Sequence, residues 1–323
     1  MKFPPPGRLI DIGTHRLHIS CSGSGAPAVI FDAALGGSSL SWGLVQPAVG
    51  RMTRACAYDR AGFSWSEAGP LPRTAGRIAD ELHALLRAAG MPPPYVLVGH
   101  SFGGLVTRVF AGRYPDLTAG LVMLDPAHPE HWASPADKER VQIERGVRLC
   151  RQGALAARFG VTRLAAALVG LGALRPARAL ASLVSRGGLR RDDESILAPA
   201  WKLPPESRRP LRRFWTEEKF YTALGSQIAS ICDSAREVAE TADGFGDRPT
   251  IVISAGNADE DRLRLQEALA RKSSRGRHVV ADGSGHWIPL DRPDIVIRCV
   301  EDVVEVCRRR TGGAPAPDAQ TGP

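Results

Sequence analysis

Apolar residues recur along this chain with two different periods. Short runs in "AVIFD" (28–32), "YVLV" (95–98), "LVML" (121–124) and "TIVIS" (250–254) are apolar without alternation. Strands buried on both faces read this way. Other segments repeat every three or four residues. Ile78, Leu82, Leu85 and Leu86 share one face of a predicted helix that Thr74 caps and Gly90 stops. Leu105, Val106, Val109 and Phe110 form a second such face. Residues 8–23 read as a hairpin turning at Gly13-Thr14, and 52–66 as a short strand ending in a polar loop. Near the end, 278–281 is a further strand, followed by a loop and a closing helix. Strands alternating with helices predict an α/β fold, with a mostly parallel central sheet covered on both faces.

Between about 127 and 247 the strand pattern disappears and helical spacing takes over. The expected organisation is a core of 1–126 and 248–310, a helical cap inserted at 127–247, and a Pro/Gly/Ala-rich tail at 311–323 expected to be disordered.

One junction stands out chemically. The run 95–98 stops at Gly99-His100-Ser101-Phe102-Gly103 and helical spacing then begins. A strand that passes into a helix through glycines on either side of one serine displays that serine. With this G-x-S-x-G the chain resembles the α/β-hydrolase family over about 1–126 and 248–310. The resemblance implies an α/β-hydrolase fold with Ser101 as nucleophile on a strained turn, and the amide of Phe102 as an oxyanion donor at the positive end of the helix.

A serine hydroxyl needs a base. The late loop Gly283-Ser284-Gly285-His286 resembles the family's histidine loop and nominates His286. The other candidates are weaker. His100 adjoins the serine, but the turn would point it elsewhere. His128 and His131 form an H-x-x-H pair with no third ligand, so no metal is expected. The early loop "VIFDAALGGSSLSW" aligns with the family's H-G-x-x-G-S-S, which makes Leu35 the second oxyanion amide. Ala33-Ala34 stand where His-Gly is usual, so the loop needs another anchor, for which Asp32 is the candidate. "YDRAGFSWSE" (58–67) resembles another family loop, with Asp59 and Arg60 read as a pair that holds it together.

Two carboxylates compete for the acid that would orient the histidine. Asp125 ends a buried strand twenty-four residues after Ser101, and Asp259 follows the 250–254 strand twenty-seven residues before His286. Asp259 also stands where a helix cap is expected. Asp125 is preferred, because a buried strand-end carboxylate needs a partner; Asp259 is the alternative.

The expected reaction is hydrolysis of a carboxylic ester, lactone or thioester of a small, fairly apolar molecule through an acyl-enzyme, with no cofactor. Carbon–carbon hydrolysis, amide hydrolysis, acyl transfer and a non-catalytic ligand-binding role are the alternatives. Serine at the turn counts against epoxide-hydrolase and dehalogenase chemistry, in which the family uses aspartate there.

Composition narrows the partners. The formal net charge is +8 and nearly all the cations are arginine. They do not interleave with aromatics, so no nucleic-acid partner is expected. The six cysteines are widely spaced and read as buried free thiols. There is no signal-peptide pattern at the start and no apolar run of about 18 residues, so no membrane span and a cytoplasmic location are expected. In the cap, the Ala/Leu-rich 161–184 reads as a lid lining an apolar pocket rather than a membrane-surface helix, because Arg163, Arg175 and Arg178 form no clean polar face. Phe214, Trp215, Phe220 and Tyr221 are candidate pocket walls.

Overall fold

The unbroken apolar runs become the middle of an eight-stranded sheet. In the computed structural model, residues 3–171, 173, 176, 184–185, 202–241, 244–310 and 312 are described. The tail from 313 and most of the second half of 161–184 lie outside the described residues. The strands are β1 (Arg8–Asp11), β2 (Arg16–Ser22), β3 (Ala28–Asp32), β4 (Ala55–Tyr58), β5 (Tyr95–His100), β6 (Thr118–Leu124), β7 (Thr250–Ala255) and β8 (Gly276–Ala281). Their order is β1-β2-β4-β3-β5-β6-β7-β8. β4 through β8 run parallel, and the hairpin β1-β2 adds antiparallel at one edge. β3, β5 and β7 are buried at every position, which explains their lack of alternation.

One face of the sheet is covered by α1 (Ala75–Ala88) and α2 (Phe102–Arg113), through Ile78, Leu82, Val106 and Phe110. Residues of the closing helix and Trp42, Val45 and Val49 cover the other. The inserted helices follow β6: α3 (Asp137–Arg158), α4 (Val161–Gly170), α5 (Pro205–Phe214), α6 (Glu218–Ala229) and α7 (Ile231–Glu240). After β7 come α8 (Glu260–Ala270) and, last, α9 (Pro293–Arg310).

The insertion is stapled to the core by its later helices. The amide of Ala75 donates to Ser234 Oγ at 2.9 Å, and that of Gly76 to Glu237 Oε2 at 2.7 Å. Thus α7 satisfies amides that α1 leaves unpaired at its start. Within the insertion, α3 and α6 approach closely. A side chain on Gly153 would collide with the Tyr221 ring at 2.4 Å, and one on Gly225 would come within 2.9 Å of Cys150 Cβ.

The cysteine expectation is corrected in part. Cys21 on β2 and Cys56 on β4 are register partners and form a disulfide. The antiparallel pairing of these strands puts the two sulfurs opposite each other, which a separation of 35 residues does not reveal. Cys150, Cys232, Cys299 and Cys307 are free. Among the described residues, no helix is long and apolar enough to cross a membrane.

Candidate active site

The site is built at the carboxyl ends of the parallel strands, where open α/β sheets present their loops. Ser101 follows β5 with φ 55° and ψ −114°. A non-glycine residue held there is strained by about 1–3 kcal/mol, and its surroundings over-determine it. Its amide donates to Leu124 O at 2.9 Å, and its carbonyl accepts from the amides of Gly104 at 2.9 Å and Ala127 at 3.0 Å. The flanking glycines are required by close approach. A Cβ on Gly99 would lie 2.5 Å from Gly103 O, and one on Gly103 would lie 2.5 Å from Asp32 O. The backbone at the end of β3 therefore packs directly on the start of α2.

Asp125 leaves β6 with φ 40°, its amide bonded to Ile253 O at 2.7 Å. Its carboxylate is 3% exposed and fully engaged. Oδ2 accepts from His286 Nδ1 at 2.6 Å, and Oδ1 accepts from Arg262 Nε at 2.7 Å and Gln266 Nε2 at 3.3 Å. Burial pushes this carboxyl's pKa up, but the hydrogen bonds and charges of His286 and Arg262 outweigh it, and the net pKa is below the ordinary value. Asp259 is exposed and caps α8, accepting from the amide of Arg262 at 2.8 Å. The structure thus joins Asp125 to His286 and leaves Asp259 outside that pair. Asp259 instead starts the helix that carries Arg262 and Gln266 to Asp125.

His100 is buried beside the serine and turned away from it. Its Nε2 donates to His286 O at 2.7 Å, and its ring lies 4.9 Å from that of His286. Burial first, then the charge of His286, lowers its pKa to about 3. It is a neutral strut under the histidine loop. His128 is buried after β6, and His131 lies one turn beyond it in the short helix Pro129–Trp132; Asp125 takes its hydrogen bonds from His286, Arg262 and Gln266 instead.

The loop after β3 is anchored through Asp32, the anchor expected from the sequence. Asp32 accepts from Arg60 Nε at 2.8 Å and from Tyr58 Oη at 3.0 Å. The same guanidinium donates to the carbonyls of Ala33 and Ala34, the latter at 3.3 Å. A buried Arg60–Asp32 pair thereby grips the two residues before Leu35. Asp59 and Arg60 do not pair with each other, contrary to expectation. Asp59 accepts from His18 Nδ1 at 2.8 Å and from the amide of Ser39 at 2.7 Å.

The cap closes over this loop through α6. A side chain on Gly36 would meet Leu224 Cδ1 at 3.3 Å and Phe220 at 4.0 Å. Of the four aromatic candidates, Phe220 borders the site and packs edge-on against Phe63 at 5.7 Å. Phe214 packs on Trp65, and Tyr221 faces α3. An open groove of about 550 Å³ near Thr14, Arg77 and Glu237 is lined by none of the residues gathered around Ser101.

The profile of the alpha/beta hydrolase fold matches residues 27–293. The chain belongs to this family. Its similarity to individual proteins is partial or distant. It is 39% identical over 128 residues to efuK of Hormonema carpetanum, named a probable transporter, a match spanning 37% of this chain and 18% of that one. The chain spans less than half the length of the curated relatives it matches. Among solved structures, a thermophilic esterase from Thermogutta terrifontis superposes with TM-score 0.62 at 20% identity, covering 91% of this chain and 94% of the esterase. The epoxide hydrolase CorEH superposes with TM-score 0.66 at 16% identity, covering 93% and 98%. Likeness this distant establishes the fold only.

Arg262 and Gln266 were missed by sequence reasoning. The one available signal was position: they lie three and seven residues beyond the Asp259 cap, hence one and two turns into the helix that starts at the site.

Proposed function

We propose that the protein is a serine hydrolase that cleaves a carboxylic ester of a small, apolar substrate through an acyl-enzyme. The observation that carries the reading is the 2.6 Å hydrogen bond from His286 Nδ1 to buried Asp125, formed beside a serine held in the left-handed region. With Nδ1 committed to the acid, Nε2 is the nitrogen left to take the proton of Ser101. Ser101 Oγ attacks the ester carbonyl as His286 takes that proton, and the amides of Phe102 and Leu35 stabilise the oxyanion. His286 returns the proton to the leaving alcohol. A water then gives its proton to His286 and attacks the acyl-enzyme, releasing the acid and restoring Ser101. Asp125 stays ionised throughout and stabilises the imidazolium. Arg60 serves by holding the oxyanion loop, and Phe220 and Leu224 offer the acyl group an apolar wall.

A serine at the turn favours this chemistry over epoxide opening, for which the family uses an aspartate there. No cofactor enters the scheme. As to compartment, the Cys21–Cys56 disulfide fits an oxidising setting better than the cytoplasm expected from sequence.

The test is labelling by a fluorophosphonate together with hydrolysis of p-nitrophenyl esters of increasing acyl length. Ser101→Ala is expected to abolish labelling and lower kcat/KM by about three orders of magnitude or more. Full activity in Ser101→Ala would refute the proposal.

A further inference from the structure

We propose that the outer face of the helical hairpin α3–α4 in the cap docks on an anionic lipid surface. The sequence between Glu144 and Asp192 holds ten arginines, no lysine and no carboxylate. Judged from 161–184 alone, its arginines and apolar residues form no clean face. Exposed arginines and exposed large apolar residues occur together on α3 as well as on α4. At 3.6 residues per turn, Arg148, Arg151, Leu155, Arg158 and Phe159 fall within an arc of about 100°. The opposite side of α3, carrying Gly146, Cys150 and Gly153, is packed against Ile228, Gly225 and Tyr221 of α6. So the arc points away from the cap. Leu155 is 58% exposed and Phe159 74%.

Only Gly160 and the cap residue Phe159 separate α3 from α4, which continues the pattern. Arg163, Leu164, Ala167 and Leu171 fall within a second arc of about 100°, with Leu164 56% exposed and Leu171 83%. Arg148, Arg151, Arg158 and Arg163 are all exposed. Large apolar side chains left in water among guanidiniums suit an interfacial helix, with its apolar groups dipping between headgroups and its cations meeting lipid phosphates. The charge argues against a second copy as the occupant. On this face Arg148, Arg151, Arg158 and Arg163 outnumber the one neighbouring carboxylate, Glu144, so self-association through it would be repulsive.

Flotation of the full chain with vesicles tests this, comparing phosphatidylcholine alone with phosphatidylcholine plus phosphatidylglycerol, at low and high salt. The protein is expected to float with the anionic vesicles, less so as salt rises, and not with the neutral ones. Arg151→Gln/Arg158→Gln/Arg163→Gln should weaken binding about fivefold per arginine, roughly a hundredfold in all. Phe159→Ser/Leu164→Ser should weaken it at least tenfold. Thermal melting checks that both variants fold, since all five residues are exposed. Absence of flotation with anionic vesicles would overturn the proposal, as would undiminished flotation of both variants. So would a dimer that Phe159→Ser disperses without any vesicle binding, which would give the face to a second copy. None of these readouts depends on Ser101.

Discussion

The loops that follow β6 and β7 each present an aspartate, and their surroundings give the two opposite roles. Asp125 is 3% exposed, bent into the left-handed region and held by His286, Arg262 and Gln266. Asp259 is exposed, in extended backbone, and bonded to the amide of Arg262. One carboxylate is desolvated and aimed at an imidazole; the other starts a helix. The difference teaches that position at a strand end does not make a triad acid. Burial and an imidazole partner do, because a desolvated carboxylate persists only if cations and donors surround it. The two are also linked. Asp259 caps α8, and α8 delivers the cation that helps keep Asp125 ionised.

Variants can break or sharpen this contrast. The largest effect is expected from Asp125→Asn, which should lower kcat on a p-nitrophenyl ester by about 10³- to 10⁴-fold, because the amide no longer stabilises the imidazolium. Arg262→Gln comes next, lowering kcat/KM severalfold at neutral pH. Its sharper readout is stability against pH. A carboxylate whose folded pKa is depressed adds stability above its unfolded value, and that stability is lost as pH falls through the folded pKa. For Asp125 the window lies below about pH 4. Removing Arg262 takes away one cause of the depression, so the acid-side fall in melting temperature should be smaller, and complete at a higher pH, in Arg262→Gln. An unchanged acid limb would show that Arg262 does not hold the charge of Asp125. The smallest catalytic effect is expected from Asp259→Ala. Loss of the cap should cost about 1 kcal/mol of stability, read by urea unfolding, with kcat/KM on the ester kept within about twofold.

Much of the frame was legible because few physical solutions exist for its patterns. A strand such as 95–98, buried on both faces, has to be continuously apolar, and Gly99 and Gly103 have to be glycine where backbone meets backbone. The choice between Asp125 and Asp259 was harder, since both follow a parallel strand at plausible spacings. What separates them is tertiary: the φ of 40° at Asp125 and a guanidinium arriving from 137 residues away. Arg60 was read as the partner of its neighbour Asp59. Adjacent residues on an extended segment point apart, and each found a partner on another element, Asp32 for one and His18 for the other. The Cys21–Cys56 pair was hidden for a similar reason, because it depends on the register between β2 and β4.

The most direct test of the central claim reads the nucleophile without needing the natural substrate. The second-order rate of fluorophosphonate labelling at Ser101 would be measured for the parent chain, Asp125→Asn and Asp259→Asn. The account predicts labelling slowed by about a thousandfold in Asp125→Asn and unchanged in Asp259→Asn. Slow labelling of Asp259→Asn with Asp125→Asn unaffected would contradict it and move the acid to the end of β7.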